Sequence, residues 1–218
     1  MSRKKFAVIL SGGGVYDGAE INEVVLTLLA LETRGFEYQC FAPQIEQYHV
    51  VNHLTGEVVS EKRQVLTEAA RIVRGNVKVL SECIPEHFDA LVVPGGFGVT
   101  KNLSNFATEG DKLSIQPEVL RVLNDFRVLE KPAGFMCIAP VLLPVIYGKG
   151  VLLTIGNDRE TISVIEKLGG IHQVAGFSEV VIDEVNKVVT TPAYMLATSI
   201  IEAKSGIDRL IDALAKMN

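Results

Sequence analysis

An α/β fold is predicted for this chain: one domain over residues 1–218, a three-layer α/β/α sandwich around a mostly parallel sheet. Three observations predict it. Short apolar runs alternate with helical patterns along the whole chain, the signature of right-handed βαβ units whose sheet is covered on both faces. The runs ending at Leu10, Val93 and Met136 lead into glycine-rich or special turns, where sheets of this kind place their sites. No linker, low-complexity tract or internal repeat divides the sequence.

The elements follow in order. Residues 5–10 (KFAVIL) form a buried parallel strand feeding Ser11-Gly12-Gly13-Gly14. Residues 19–33 form a helix whose apolar positions Ile21, Val24, Val25, Leu28 and Leu29 fit helical spacing, stopped by Gly35. A second strand covers 36–41, and two β-like runs within 49–59 make a hairpin insertion around Leu54-Thr55-Gly56. A helix over 62–73 and a strand over 77–80 come next. The strand at 89–93 runs into Pro94-Gly95-Gly96-Phe97-Gly98, and a helix with proline in its first turn spans 117–129. Residues 133–136 form a strand, Cys137 the turn, and 138–147 a helix that Pro144 kinks. A strand at 151–155, a helix at 159–168 and a hairpin of 180–183 with 187–190 complete the body. The tail over 194–217 is helical, broken near Gly206.

Bulk properties narrow the function. The net charge of −5 argues against nucleic acid and anionic membranes as partners. No apolar stretch reaches membrane-spanning length. Cys40, Cys83 and Cys137 are three widely spaced cysteines in a chain that begins without an export signal, which leads to the expectation of reduced thiols in the cytoplasm. Neither CxxC nor HExxH occurs, so no metal is expected. Ser11-Gly12-Gly13-Gly14 does not spell GxGxxG and no Walker lysine follows, so no nucleotide cofactor is expected either.

The chemistry centres on Gly134-Phe135-Met136-Cys137-Ile138-Ala139-Pro140, a strand running straight into a helix with cysteine at the junction. This is the nucleophile-elbow pattern with sulfur in place of a hydroxyl. A helix N-terminus would favour the thiolate, and the Ile138 N–H could hold an oxyanion formed at a carbon that sulfur attacks. A buried structural cysteine is the competing reading. Gly95 and Gly96 allow close backbone approach to a ligand, with the Gly96 N–H a second oxyanion donor. Glu23, on the first helix, could face the carboxyl end of the sheet. There a neighbouring thiolate would push it toward its protonated form, able to donate to sulfur. The alternative is a solvated helix glutamate. His49, His53, His87 and His172 are all distant from Cys137 in sequence.

These residues, together with VILSGGGVYDGAEINE, VNHLTGE, VVPGGFGVTKNLSNFA, GFMCIAP, LTIGND and VVTTPAYM, resemble the DJ-1/PfpI superfamily, and within it the ES1-like group. The resemblance covers nearly the whole chain. It implies the flavodoxin-like, class I glutamine amidotransferase-like fold, Cys137 as the elbow cysteine, Glu23 as the acid touching its sulfur, and Gly96 and Ile138 as backbone donors. It also marks departures. The superfamily's histidine is missing after the elbow strand's successor (Leu153-Thr154-Ile155-Gly156-Asn157), directly after the cysteine (Ile138), and near Thr190-Thr191-Pro192. Lacking that base, the chain is a poor candidate for glutamine hydrolysis or proteolysis.

The resemblance implies a weak, cofactor-free, glutathione-independent glyoxalase-type lyase. Cys137 would add to a small aldehyde such as glyoxal or methylglyoxal, and Glu23 would shuttle the proton. The alternative is a non-enzymatic redox or ligand sensor, or a scaffold affecting isoprenoid biosynthesis. A homodimer is expected from the same resemblance.

Overall fold

The computed structural model describes residues 3–217. In chain order the first half contains β1 (Lys5–Ile9), α1 (Ile21–Thr33), β2 (Glu37–Ala42), β3 (Val50–Val51), β4 (Val58–Val59), α2 (Val65–Ile72) and β5 (Val77–Val79). The middle contains β6 (Ala90–Val93), α3 (Phe97–Lys101), α4 (Phe106–Glu109), α5 (Pro117–Val128), β7 (Ala133–Met136) and α6 (Leu143–Tyr147). The last third contains β8 (Leu152–Leu153), α7 (Arg159–Lys167), β9 (Ile171–His172), β10 (Val181–Asp183), β11 (Val188–Thr191) and α8 (Ile200–Lys216).

Among the described residues seven strands form the central sheet, in the order β10-β11-β7-β6-β1-β2-β5. All neighbours are parallel except the β10/β11 hairpin. Period-two alternation splits β1 between the two faces. Phe6 and Val8 pack with Val24 and Leu31 of α1 and Ile207, Leu210 and Ile211 of α8. Ala7 and Ile9 pack with Val119, Val122, Leu123 and Phe126 of α5 on the other face. The result is the three-layer sandwich expected from the alternating pattern. The carboxyl ends of β1, β6, β7 and β11 open on one edge, with Val93 in register with Phe135 and Met136 with Thr191.

Several elements differ from the sequence reading. The run at 151–155 contributes only the two-residue β8, which pairs with β9 in a small separate sheet. The Asp183 carboxylate accepts from the Leu152 N–H at 2.8 Å and ties that small sheet to the central one. The helix after Cys137 begins as a tight 3-10 turn, Ala139–Leu142, and Pro144 lies in the opening turn of α6, where a missing donor costs little, so it marks a start and not a kink. The hairpin insertion is present as β3 and β4. The short helices α3 and α4 were hidden because four or five residues carry no readable period.

The expected break at Gly206 is absent, and α8 is continuous through it. A Cβ there would lie 2.3 Å from the Phe177 carbonyl oxygen and 2.7 Å from Thr191 Oγ1. Glycine therefore serves close approach, which outweighs its cost to the helix. Gly206→Ala should destabilise the fold by about 1–3 kcal/mol despite alanine's better helix propensity. Denaturant unfolding checks this, and an unchanged or raised midpoint would refute the close-approach role.

Candidate active site

The elbow is built as the strand-to-helix pattern requires. Cys137 sits just past β7 with φ 59°, a left-handed conformation rare outside glycine. Its N–H still donates to the Thr191 carbonyl at 3.0 Å, so the turn is pinned to β11 while the side chain swings clear of the strand. The Gly96 and Ile138 N–H groups favour the ionised form of the sulfur. Cys137 is 7% exposed, enough to open on a cavity.

Glu23 is fully buried, and three loops converge on it. One carboxylate oxygen accepts from the Gly95 N–H at 2.8 Å, after β6. The other accepts from the Tyr194 N–H at 3.2 Å, after β11. The side chain also acts on Cys137, after β7, and the two groups shift each other's ionisation. The backbone is bent to make this possible: Ala193, between β11 and Tyr194, has φ 43°. Gly95, expected to bind the substrate through close backbone approach, instead commits its N–H to holding the acid in place.

Electrostatics correct a second expectation. Burial, and then the charge of Glu20, push the Glu23 carboxyl up to about 7, against the hydrogen bonds that favour its ionised form. Burial, and then the charge of Glu23, push the Cys137 thiol well above its ordinary range, while the N–H groups of Gly96 and Ile138 pull the other way. The helix-mouth argument for a free thiolate is therefore outweighed. The element that follows is one short 3-10 turn whose aligned dipoles are few. The two groups titrate as a unit, and loss of the second proton is opposed by the first charge.

The cavity above the sulfur has a volume of about 270 Å³ and is lined by Val15, Glu20, Gly96, Phe97, Cys137, Ile138, Thr161, Tyr194 and Met195. That volume admits a small molecule. A larger groove of about 710 Å³ between β10 and α8 shares no lining residue with it and contains no cysteine. The sequence reading missed Glu20, Tyr194 and Thr161. Glu20 is the N-cap of α1, its carboxylate accepting from the Glu23 N–H at 2.6 Å. Burial raises its pKa, against those backbone donors. Glutamate is not among the favoured capping residues, so the sequence carried little sign of this role.

No histidine lines this cavity among the described residues. His49 Nε2 lies 3.0 Å from Lys101 Nζ, His53 stacks on Tyr16, and His172 Nε2 accepts from the Ile155 N–H at 3.1 Å. His87 ends the 3-10 turn Pro85–His87. Among the described residues no three His, Cys, Asp or Glu side chains gather as a metal-binding group, and no helix is long and apolar enough to cross a membrane.

No family model matches the chain. The ES1 protein homolog, mitochondrial, of Rattus norvegicus is 41% identical over 225 residues, covering 99% of this chain and 84% of that protein. The chain belongs to the ES1 family. The human glutamine amidotransferase-like class 1 domain-containing protein 3, mitochondrial, is 42% identical over 217 residues, covering 95% of this chain and 81% of that protein. A crystal structure of an isoprenoid biosynthesis protein with amidotransferase-like domain from Ehrlichia chaffeensis superposes with TM-score 0.92 at 36% identity, covering 98% of this chain and 99% of that one. Drosophila melanogaster DJ-1β superposes with TM-score 0.56 at 16% identity over 99% and 96% of the two chains, a likeness of fold. The family and fold expected from the motifs are thus borne out. The cytoplasmic placement is overturned, since the rat, human and Danio rerio relatives are mitochondrial proteins by name. Three free, buried cysteines fit either compartment, so cysteine usage could not decide it.

Proposed function

We propose that this ES1-family protein converts glyoxal or a similarly small 2-oxoaldehyde to the hydroxy acid through covalent attachment to Cys137, without metal, glutathione or other cofactor. The observation that carries the reading is Cys137 lining a small cavity, with the buried carboxyl of Glu23 fixed behind it by the Gly95 and Tyr194 N–H groups.

The steps balance within the substrate. Sulfur bonds to one aldehyde carbon, the carbonyl π pair moves to oxygen, and that oxygen takes the proton that left sulfur by way of Glu23. The Gly96 and Ile138 N–H groups lie beside the oxygen as it gains charge. The hemithioacetal loses its carbon-bound proton and passes through an enediol. It gains a proton on the second carbon and becomes a thioester. Water cleaves the thioester, releasing glycolate from glyoxal and restoring the thiol. One carbon is oxidised and its neighbour reduced, so no outside oxidant enters. An aldehyde needs no protonated leaving group for the first step, which suits a site without histidine.

A peroxide-sensing role would draw on the same thiolate that adds to the aldehyde, so the ionisation of Cys137 does not separate the two readings. Glyoxal consumption by wild type and Cys137→Ala tests the proposal. The variant should lose at least ~100-fold, with its thermal transition retained. Equal consumption by the variant would overturn the covalent route.

A further inference from the structure

We infer that Glu20, the N-cap of α1, is the base that takes the carbon-bound proton of the Cys137 adduct, the task for which the site has no histidine. This rests on the covalent route proposed above and assigns its central step to a residue to which the sequence reading gave no role.

The two acids at the start of α1 are placed for different work. Glu23 is sealed, and both of its oxygens are committed to N–H groups beside the sulfur. It is suited to the proton on sulfur and does not line the cavity, whereas Glu20 is only half-buried and lines the same cavity as Cys137. Among the described lining residues it is the one carboxylate. The other side chains there that carry an oxygen are Thr161 and Tyr194, and a neutral hydroxyl is a weak base near pH 7.

Glu20 is also held without being neutralised. Its carboxylate accepts from the Glu23 N–H, and no Lys or Arg is paired with it among the described residues. That backbone donor fixes its orientation, and partial desolvation makes it a stronger base than a solvated glutamate.

The Glu20 carboxylate takes the proton from the carbon bonded to sulfur. That C–H pair becomes the C=C bond, and the carbonyl π pair moves to the second oxygen. Protonated Glu20, only half-buried, exchanges with solvent and then delivers a proton to the second carbon, while one hydroxyl proton passes from the first oxygen to the second. The product is the hydroxyacetyl thioester.

The test is glyoxal turnover in D2O by wild type, Cys137→Ala, Glu20→Gln and Glu20→Asp, with iodoacetamide alkylation of Cys137 measured in parallel. Gln keeps an oxygen to accept the Glu23 N–H, so the cap and the thermal transition should survive in Glu20→Gln. That variant should lose ~100-fold or more in kcat with KM little changed and lose the acidic limb of its pH profile, while alkylation stays within a few-fold of wild type. Wild type should place solvent deuterium on the glycolate methylene, and Glu20→Asp should recover part of the rate. Turnover that needs Cys137 but not Glu20 would overturn this assignment and leave the covalent route standing. Equal losses of turnover and alkylation in Glu20→Gln would show that Glu20 acts through the sulfur, which also overturns it. Turnover by Cys137→Ala, or none by wild type, would end the covalent route and this assignment with it.

Discussion

Gly95→Ala should abolish glyoxal conversion and destabilise the protein by roughly 3 kcal/mol, at the top of the usual range for an overpacked site. A Cβ at this position would lie 2.4 Å from Cys137 Cβ, 2.9 Å from its Sγ and 2.8 Å from Glu23 Oε2. Separations below 3 Å require something to move, and little here can. The Gly95 N–H donates to Glu23 at 2.8 Å, and its carbonyl accepts from the Glu20 N–H at 3.0 Å. The start of α1 therefore clamps this residue through both of its peptide groups. Cys137 is pinned from the other side through its own N–H on Thr191. Relief must come by parting the sulfur from the acid, which disconnects the groups that handle the proton. Denaturant unfolding and the glyoxal assay check the two parts. A variant with wild-type midpoint and turnover would show that the Cys137–Glu23 contact is looser than described.

The sheet and the elbow were legible because local signals carry them. Buried strands read as continuous apolar runs, and a cysteine between such a run and Ile138-Ala139-Pro140 has few other places to sit. What surrounds the elbow was legible only through the family motifs, because it is assembled across long separations. Tyr194 meets Glu23 from 171 positions away, through a left-handed turn at Ala193 that no residue type there signals. Glu20 looked like one more charge at a helix start. Its second identity, as a wall of the cavity, exists only once the loops after β6 and β11 close over it. The ionisation of Cys137 was misjudged for a related reason. A helix mouth is a local feature readable from sequence, whereas desolvation depends on everything packed around the sulfur, and here desolvation is the larger effect. Gly206 shows the same division, since its neighbour Phe177 lies on another segment.

Glu23→Gln should flatten the dependence of stability on pH between about 4.5 and 7. The sign follows from the direction of the shift. The Glu23 carboxyl moves from the ordinary value of 4.5 in the unfolded chain to about 7 in the folded one. Between those values the folded state binds more protons than the unfolded state, so wild-type stability falls as pH rises through the window and levels off above it. A shift of this size corresponds to about 3 kcal/mol. Groups held below their ordinary values, such as Asp158 and Asp212, change stability in the opposite sense at lower pH. The informative quantity is therefore the difference between the two proteins, in which those groups cancel. Glutamine forfeits one acceptor toward the Gly95 or Tyr194 N–H, so the variant should be the less stable protein near pH 4.5. The gap should narrow by about 3 kcal/mol on going to pH 7.5 and can reverse there, because only the wild type must bury a charge. Unfolding by urea at a series of pH values measures it. A gap that stays constant from pH 4.5 to 7.5 would mean that Glu23 ionises as a solvated acid does, and the proton-holding pair at the foot of the cavity would be lost with it.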